Sequence, residues 1–177
     1  MKTNTAPPHY VLTGGPCAGK TTTIFEFEKR GYTVAPEPAR LVIDERLVAG
    51  ESIEQIKRDP SFLGSVVRKG VAIAQSVPAE EVCFFDRSVP DSLAYYKAFN
   101  VPLDSVINEA LAAVQYRKIF LLDLVDFQND EARDETPQQA MILHGLIREA
   151  YVEQGYKVVE VPVMPVSDRA DFILANL

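Results

Sequence analysis

Short apolar runs alternate along this chain with longer stretches of helical spacing. The runs are "HYVLTG" at 9–14, "YTVA" at 32–35, "EVCFFD" at 81–86, "RKIFLLD" at 117–123 and "YKVVEVPV" at 156–163. Val, Ile, Leu and Phe fill them with little polar alternation, as in parallel strands covered on both faces. Helical patterns occupy the intervals. One runs from Lys20 to Arg30, with Gly31 placed as the residue that ends it. A second carries Ser88 as N-cap with Asp91 three residues on. A third opens with Thr136 as N-cap, Pro137 at the first helical position and Gln139 closing a capping box. The last starts near Ser167. Alternation of this kind predicts a three-layer α/β fold: an open, parallel, five-stranded sheet with helices on both faces and right-handed crossovers. Ligands of such sheets bind outside the carboxyl ends of the strands. Residues just after a strand therefore point at the site, and residues just before one lie on the far edge.

Composition narrows the class. At 177 residues with 47% hydrophobic content, the chain can fill one core over its whole length without a disulfide or metal staple. Its two cysteines, Cys17 and Cys83, form no CxxC pair or Cys/His cluster, which argues against a structural zinc. The first ten residues lack an apolar signal region, and no apolar run approaches a membrane span. The expectation is a cytoplasmic protein, monomer or homodimer, with no membrane partner. A net charge of −7 makes nucleic acid a poor partner.

The chemistry begins at "GGPCAGKTT", residues 14–22. Gly14-x-x-x-x-Gly19-Lys20-Thr21 is a Walker A pattern, placed between a predicted strand and a predicted helix. Gly14, Gly15, Pro16, Cys17, Ala18, Gly19 and Thr22 complete a loop whose backbone N–H groups can cradle phosphates. Lys20 can reach the β- and γ-phosphates, and the Thr21 hydroxyl can hold Mg²⁺. The helix behind the loop aims its positive end at the same anion. Cys17 reads as a small side chain where bulk is excluded, and a thiol beside a lysine is also open to redox chemistry.

What the nucleotide is for depends on the other strand ends. The guanine-reading NKxD and switch DxxG segments of GTPases are both missing from the sequence. "LVIDER" at 41–46 imitates the acidic pair of a hydrolytic motor. It begins five residues after "YTVA", too soon for a parallel crossover. Ala39, Val42, Ile43 and Leu47 are spaced as one helix face, so Asp44 and Glu45 are expected on a helix surface. The acid at a strand end is Asp86, placed to hold Mg²⁺ or to accept a proton from an attacking hydroxyl. Arg87 follows it and can neutralise a transferring phosphate. Glu37 and Arg40 follow the second strand and suit a substrate hydroxyl and an anionic group. After the fourth strand, the acidic segment at about 123–136 has the place of a lid, and Arg133 is its single cation. Arg117 and Lys118 precede their strand and are expected on the wrong edge. His9 and His144 have no evident functional partner in the sequence.

"TGGPCAGKTT", "PEPAR", "FFDRSVPDSLAY" and "ARDETPQQA" with "LHGLIREAY" together resemble the small P-loop family labelled AAA-type ATPase/kinase. That family is grouped with the ribosylnicotinamide-kinase domain of NadR and, more distantly, with nucleoside and nucleotide kinases. The resemblance runs over nearly the whole chain. It implies the P-loop NTPase fold, an ATP–Mg²⁺ site on Gly14 to Thr22, an acid at Asp86, an arginine at Arg87 and a lid after strand four. It also implies that the loop at Pro162 to Arg169 flanks the adenine. The chain departs from the pattern at Cys17, where a smaller residue is usual, and in having one lid arginine. Two functions stay open at this stage. One is transfer of the ATP γ-phosphate to a hydroxyl of a small acceptor, such as a nucleoside or riboside. The other is nucleotide-dependent regulation, or slow ATP hydrolysis, acting through a protein partner.

Overall fold

A computed structural model describes residues 6–125 and 136–177. Five parallel strands form one sheet: β1 (His9–Thr13), β2 (Thr33–Ala35), β3 (Cys83–Asp86), β4 (Lys118–Leu122) and β5 (Val158–Val161). Their order is β2-β3-β1-β4-β5. The helices are α1 (Lys20–Lys29), α2 (Pro38–Val48), α3 (Ile53–Arg58), α4 (Phe62–Ser76), α5 (Asp91–Ala98), α6 (Ser105–Ala113), α7 (Pro137–Glu153) and α8 (Val166–Ala175). The predicted open parallel sheet of the P-loop NTPase type is therefore the fold observed.

Two apolar cores explain the unbroken hydrophobic strands. Tyr10 and Leu12 of β1 face one side, with Phe84, Phe120 and Leu122, and pack against Ile24 and Phe27 of α1 and Ile173 of α8. Val11 faces the other side, with Phe85, Ile119 and Leu121, against Val67 of α4, Ile107 of α6 and Ile147 of α7. Neighbouring residues of a strand point to opposite faces, so both sets must be apolar when both faces are covered. Phe27 stacks on Phe84 with ring centroids 3.9 Å apart and planes 10° apart. Truncating a ring so enclosed costs about 3–5 kcal/mol.

Helix ends follow the sequence signals with small shifts. Gly31 has φ +84°, the left-handed backbone that glycine allows after α1. Thr136 and Gln139 form the expected capping box at α7. The α5 helix begins at Asp91 with Pro90, not Ser88, as its N-cap, because Val89 and Pro90 form a turn after Ser88. Asp91 still turns back to accept the Ser88 N–H, at 2.9 Å. α8 begins at Val166 rather than Ser167. "LVIDER" lies inside α2, as its spacing predicts; Asp44 is exposed, and Glu45 pairs with Lys69 of α4 at 2.6 Å. Among the described residues no helix is long and apolar enough to cross a membrane.

Candidate active site

Strand register places the two chemical segments side by side. Leu12 of β1 pairs with Asp86 of β3, and Gly14 follows two residues after Leu12. The phosphate loop and Asp86 thus leave adjacent strands at the same, carboxyl edge. Arg87 N–H still donates to Leu12 C=O at 3.0 Å, after which the chain turns sharply. Arg87 makes that turn at φ +63°, in the left-handed region. A residue with a side chain pays about 1–3 kcal/mol to stay there, and such residues gather at functional sites.

The loop from Gly14 to Thr22 wraps the N-terminus of α1. Gly14 has φ +140°, and a Cβ there would meet Leu122 C=O at 2.6 Å. At Gly15 a Cβ would meet Ala140 C=O at 2.8 Å. These glycines let the loop sit against β4 and α7. Pro16 and Cys17 form its half-buried tip, with Cys17 at φ +67° and its carbonyl accepting Val125 N–H at 3.3 Å. Ala18 is buried, and Gly19 caps α1 at φ +72°. Lys20 is buried, its Nζ donating to the carbonyls of Gly14 at 3.1 Å and Gly15 at 2.8 Å. The Thr21 side chain is exposed, and Thr22 donates to Gly19 C=O at 2.9 Å.

Asp86 is buried, and among the described residues its Oδ1 has no hydrogen-bond partner. Burial, reinforced by Glu37, pushes its pKa up to about 6 against the pull of Lys20 and Arg87. Burial and the Arg87 charge push Lys20 down to about 7, while Asp86, Glu37 and Asp91 draw it back. These opposed shifts show one mutually coupled charge cluster. Arg87 Nε lies 3.1 Å from Glu37 Oε1 without the alignment of a hydrogen bond, and its Nη1 donates to Asp91 Oδ1 at 3.3 Å. Its guanidinium also stands 5.5 Å from the Tyr95 ring centroid. Burial opposes the Arg87 charge, yet Tyr95, Asp91, Glu37 and Asp86 outweigh it and hold the pKa above its ordinary value.

A cavity of about 780 Å³ opens beside this cluster. Glu37, Arg87, Ser88 and Asp91 line it, together with apolar side chains of α2, α3, α4, α5 and α7 that include Ile43, Phe62 and Leu143. Glu37, Arg87 and Asp91 belong both to its wall and to the field acting on Lys20. Asp86 and the phosphate-loop residues are not among the lining residues, so the cavity reaches the Lys20 cluster through Glu37, Arg87 and Asp91. Arg40 is exposed in the first turn of α2 and is not among the lining residues. Arg133 and most of the lid-like segment lie outside the described residues. Arg117 and Lys118 are on the far edge, binding the carbonyls of Ala6 and Asn176.

Three further residues join the site that sequence reasoning left aside. Asp91 is a buried hub: it accepts from the Thr13 hydroxyl, the Ser88 N–H, the Tyr151 hydroxyl and Arg87. Tyr151 of α7 also shares a 2.7 Å hydrogen bond with the Ser88 hydroxyl. His144 of α7, without an evident functional partner in the sequence, accepts the Gly15 N–H on Nδ1 at 3.2 Å. Burial lowers its pKa and favours the neutral ring that this bond requires. Nothing in the local sequence reports these contacts, because they cross 129 residues in one case and 60 in another.

No curated protein matches the sequence. Solved structures do match its fold. A NadR protein in complex with NAD and AMP-PNP has a TM-score of 0.70 at 15% identity, covering 95% of this chain and 48% of that one. This chain thus spans about half the NadR length. Thymidylate kinase from Ehrlichia chaffeensis has a TM-score of 0.66 at 13% identity, over 95% of this chain and 97% of its own. Deoxyadenosine kinase from M. mycoides has a TM-score of 0.60 at 14% identity, again over 95% and 97%. These likenesses describe a kinase-like P-loop architecture. The sequence itself matches the model of the AAA domain over residues 9–169, and the chain belongs to that family.

Proposed function

We propose that the protein is a phosphotransferase that moves the γ-phosphate of ATP to a hydroxyl of a small metabolite, with nucleosides and ribosides as the first acceptors to test. The observation that supports this reading most is the shared wall: a ligand-sized cavity lined by Glu37, Arg87 and Asp91, three of the charged groups that act on the phosphate-loop lysine. A regulator that only binds nucleotide has no need of such an acceptor chamber.

The residues suit magnesium triphosphate. Gly14 and Gly15 let the loop pack closely on β4 and α7, and the buried Asp86 Oδ1, unpartnered among the described residues, is an open oxygen donor for a cation. Thr21 and Asp86 would hold Mg²⁺, which supplies charge neutralisation to the phosphates when bound. Loop amides and Lys20 bind the β- and γ-phosphates. In the transfer, the acceptor oxygen forms its bond to the γ-phosphorus as the bond to the β–γ bridging oxygen breaks, and ADP leaves. Glu37 orients the acceptor hydroxyl from the cavity wall. Asp86 either takes the hydroxyl proton or orients the magnesium shell, and its carboxylate is charged at neutral pH for both roles. Arg87 and Lys20 stabilise the charge that spreads over the transferring group. Arg133 is proposed to reach that group from the lid, and Arg40 to meet an anionic part of the acceptor.

The test is incubation with ATP, Mg²⁺ and a metabolite library, following ADP and new phosphorylated species. Acceptor-dependent ADP formation that disappears in Lys20→Ala and Asp86→Asn is the expected result. Slow turnover indifferent to every acceptor would point to an ATPase or regulator instead.

A further inference from the structure

We propose that Arg169 is a positioning residue for the nucleotide: from α8 it grips the outer side of the phosphate loop and fixes two amides toward the phosphates. The inference rests on the nucleotide-binding part of the reading above, and not on any acceptor.

Arg169 is 3% exposed, in the first turn of α8. Its Nη1 lies 3.2 Å from Ala18 C=O, 3.3 Å from Gly19 C=O and 3.3 Å from the Thr23 hydroxyl. Its Nη2 donates to Met164 C=O at 3.2 Å. Its Nε is buried with no partner, and among the described residues no carboxylate pairs with it. A buried cation without an anion is costly, so this position needs a reason.

The reason lies in peptide geometry. In a trans peptide the C=O and N–H point in opposite directions. Drawing Ala18 C=O toward Arg169 turns Gly19 N–H the other way; Gly19 C=O, which also accepts from Thr23 N–H at 3.2 Å and from the Thr22 and Thr23 hydroxyls at 2.9 Å, is held by Arg169 in the same sense for Lys20 N–H. Both amides then face the cradle at the α1 N-terminus. A guanidinium on each carbonyl also polarises the peptide and makes its N–H a stronger donor. A bound triphosphate supplies the negative charge that Arg169 lacks. Gly19 leaves room for the grip, since a Cβ there would meet Arg169 Nη1 at 2.5 Å. Through Met164 the same guanidinium ties the phosphate loop to the segment after β5.

Titration calorimetry with Mg-ATP and with tripolyphosphate, on wild type, Arg169→Gln, Arg169→Lys and Arg169→Ala, tests this. Circular dichroism melts identify the variants that fold. Arg169→Gln is expected to weaken both ligands alike, by roughly ten- to a hundredfold for lost charge-assisted hydrogen bonds. Arg169→Lys should recover part of the loss, and low concentrations of guanidinium ion should partly restore Arg169→Ala. Unchanged tripolyphosphate binding in Arg169→Gln or Arg169→Ala overturns the proposal. So does a loss that neither lysine nor guanidinium repairs, which marks a structural role alone. Failure of the kinase reading gives a different result: intact nucleotide binding with no acceptor phosphorylated.

Discussion

Replacing Asp86 with Asn should stabilise the ligand-free protein at pH 8 while abolishing phosphate transfer. In the fold, Asp86 has its pKa raised from 3.8 to about 6, with burial as the main cause. A raised folded pKa means that stability from the neutral form is present at low pH and lost as pH rises through the folded value. At pH 8 the charged, buried carboxylate therefore costs stability. Two pKa units at 1.36 kcal/mol each set that cost at no more than about 3 kcal/mol. Asn removes the charge, but it buries an amide where Asp86 Oδ1 finds no hydrogen bond among the described residues. The net gain should be about 1–2 kcal/mol, or roughly 2–8 °C in melting temperature for a domain of this size. Thermal unfolding of both proteins at pH 8 and pH 5 measures it. The gain should shrink to about half at pH 5, where Asp86 in the native protein is largely protonated. A variant that melts below wild type at pH 8, or a difference that ignores pH, would refute the account of Asp86 as a charge held at a cost.

Three other perturbations follow from the site. With its pKa near 7, Lys20 is mostly neutral at pH 8, and triphosphate binding should restore its charge. Nucleotide uptake at pH 8 should then draw close to one proton from the buffer, seen as binding heats that differ between buffers of unlike ionisation enthalpy; equal heats would sink this. Tyr151→Phe removes the hydroxyl shared with Asp91 and Ser88 and should destabilise by about 1.5–3 kcal/mol, with kcat falling and nucleotide affinity kept. Denaturant titration and steady-state kinetics separate the two effects. Gly15→Ala forces a Cβ against Ala140 C=O and should weaken nucleotide binding at least tenfold, measured by calorimetry, because the loop must shift from α7.

The fold was legible because its signals are local. Both-faced burial makes the strands continuous apolar runs, and the glycine loop and the Thr136 capping box announce helix starts at fixed spacing. Asp86 and Arg87 could be placed at the active edge because a parallel sheet puts every strand end there. The rest depends on distance in sequence. No pattern around His144 reveals that α7 carries it back to Gly15. Arg87 stands in a left-handed turn that no residue type announces, and Asp91 reads as a helix-start acid until Thr13 and Tyr151 close around it. Arg40 shows the converse: it shares an edge with Glu37, but helical rotation leaves it exposed while Glu37 meets the cavity.

α7 touches the phosphate loop through His144, the Asp91 hub through Tyr151, and the cavity through Leu143. One rigid rod thus spans the seats proposed for donor and acceptor. Whatever free energy one ligand spends in shifting that rod, the other must gain or lose in equal measure. Each substrate should therefore change the dissociation constant of its companion by the same factor.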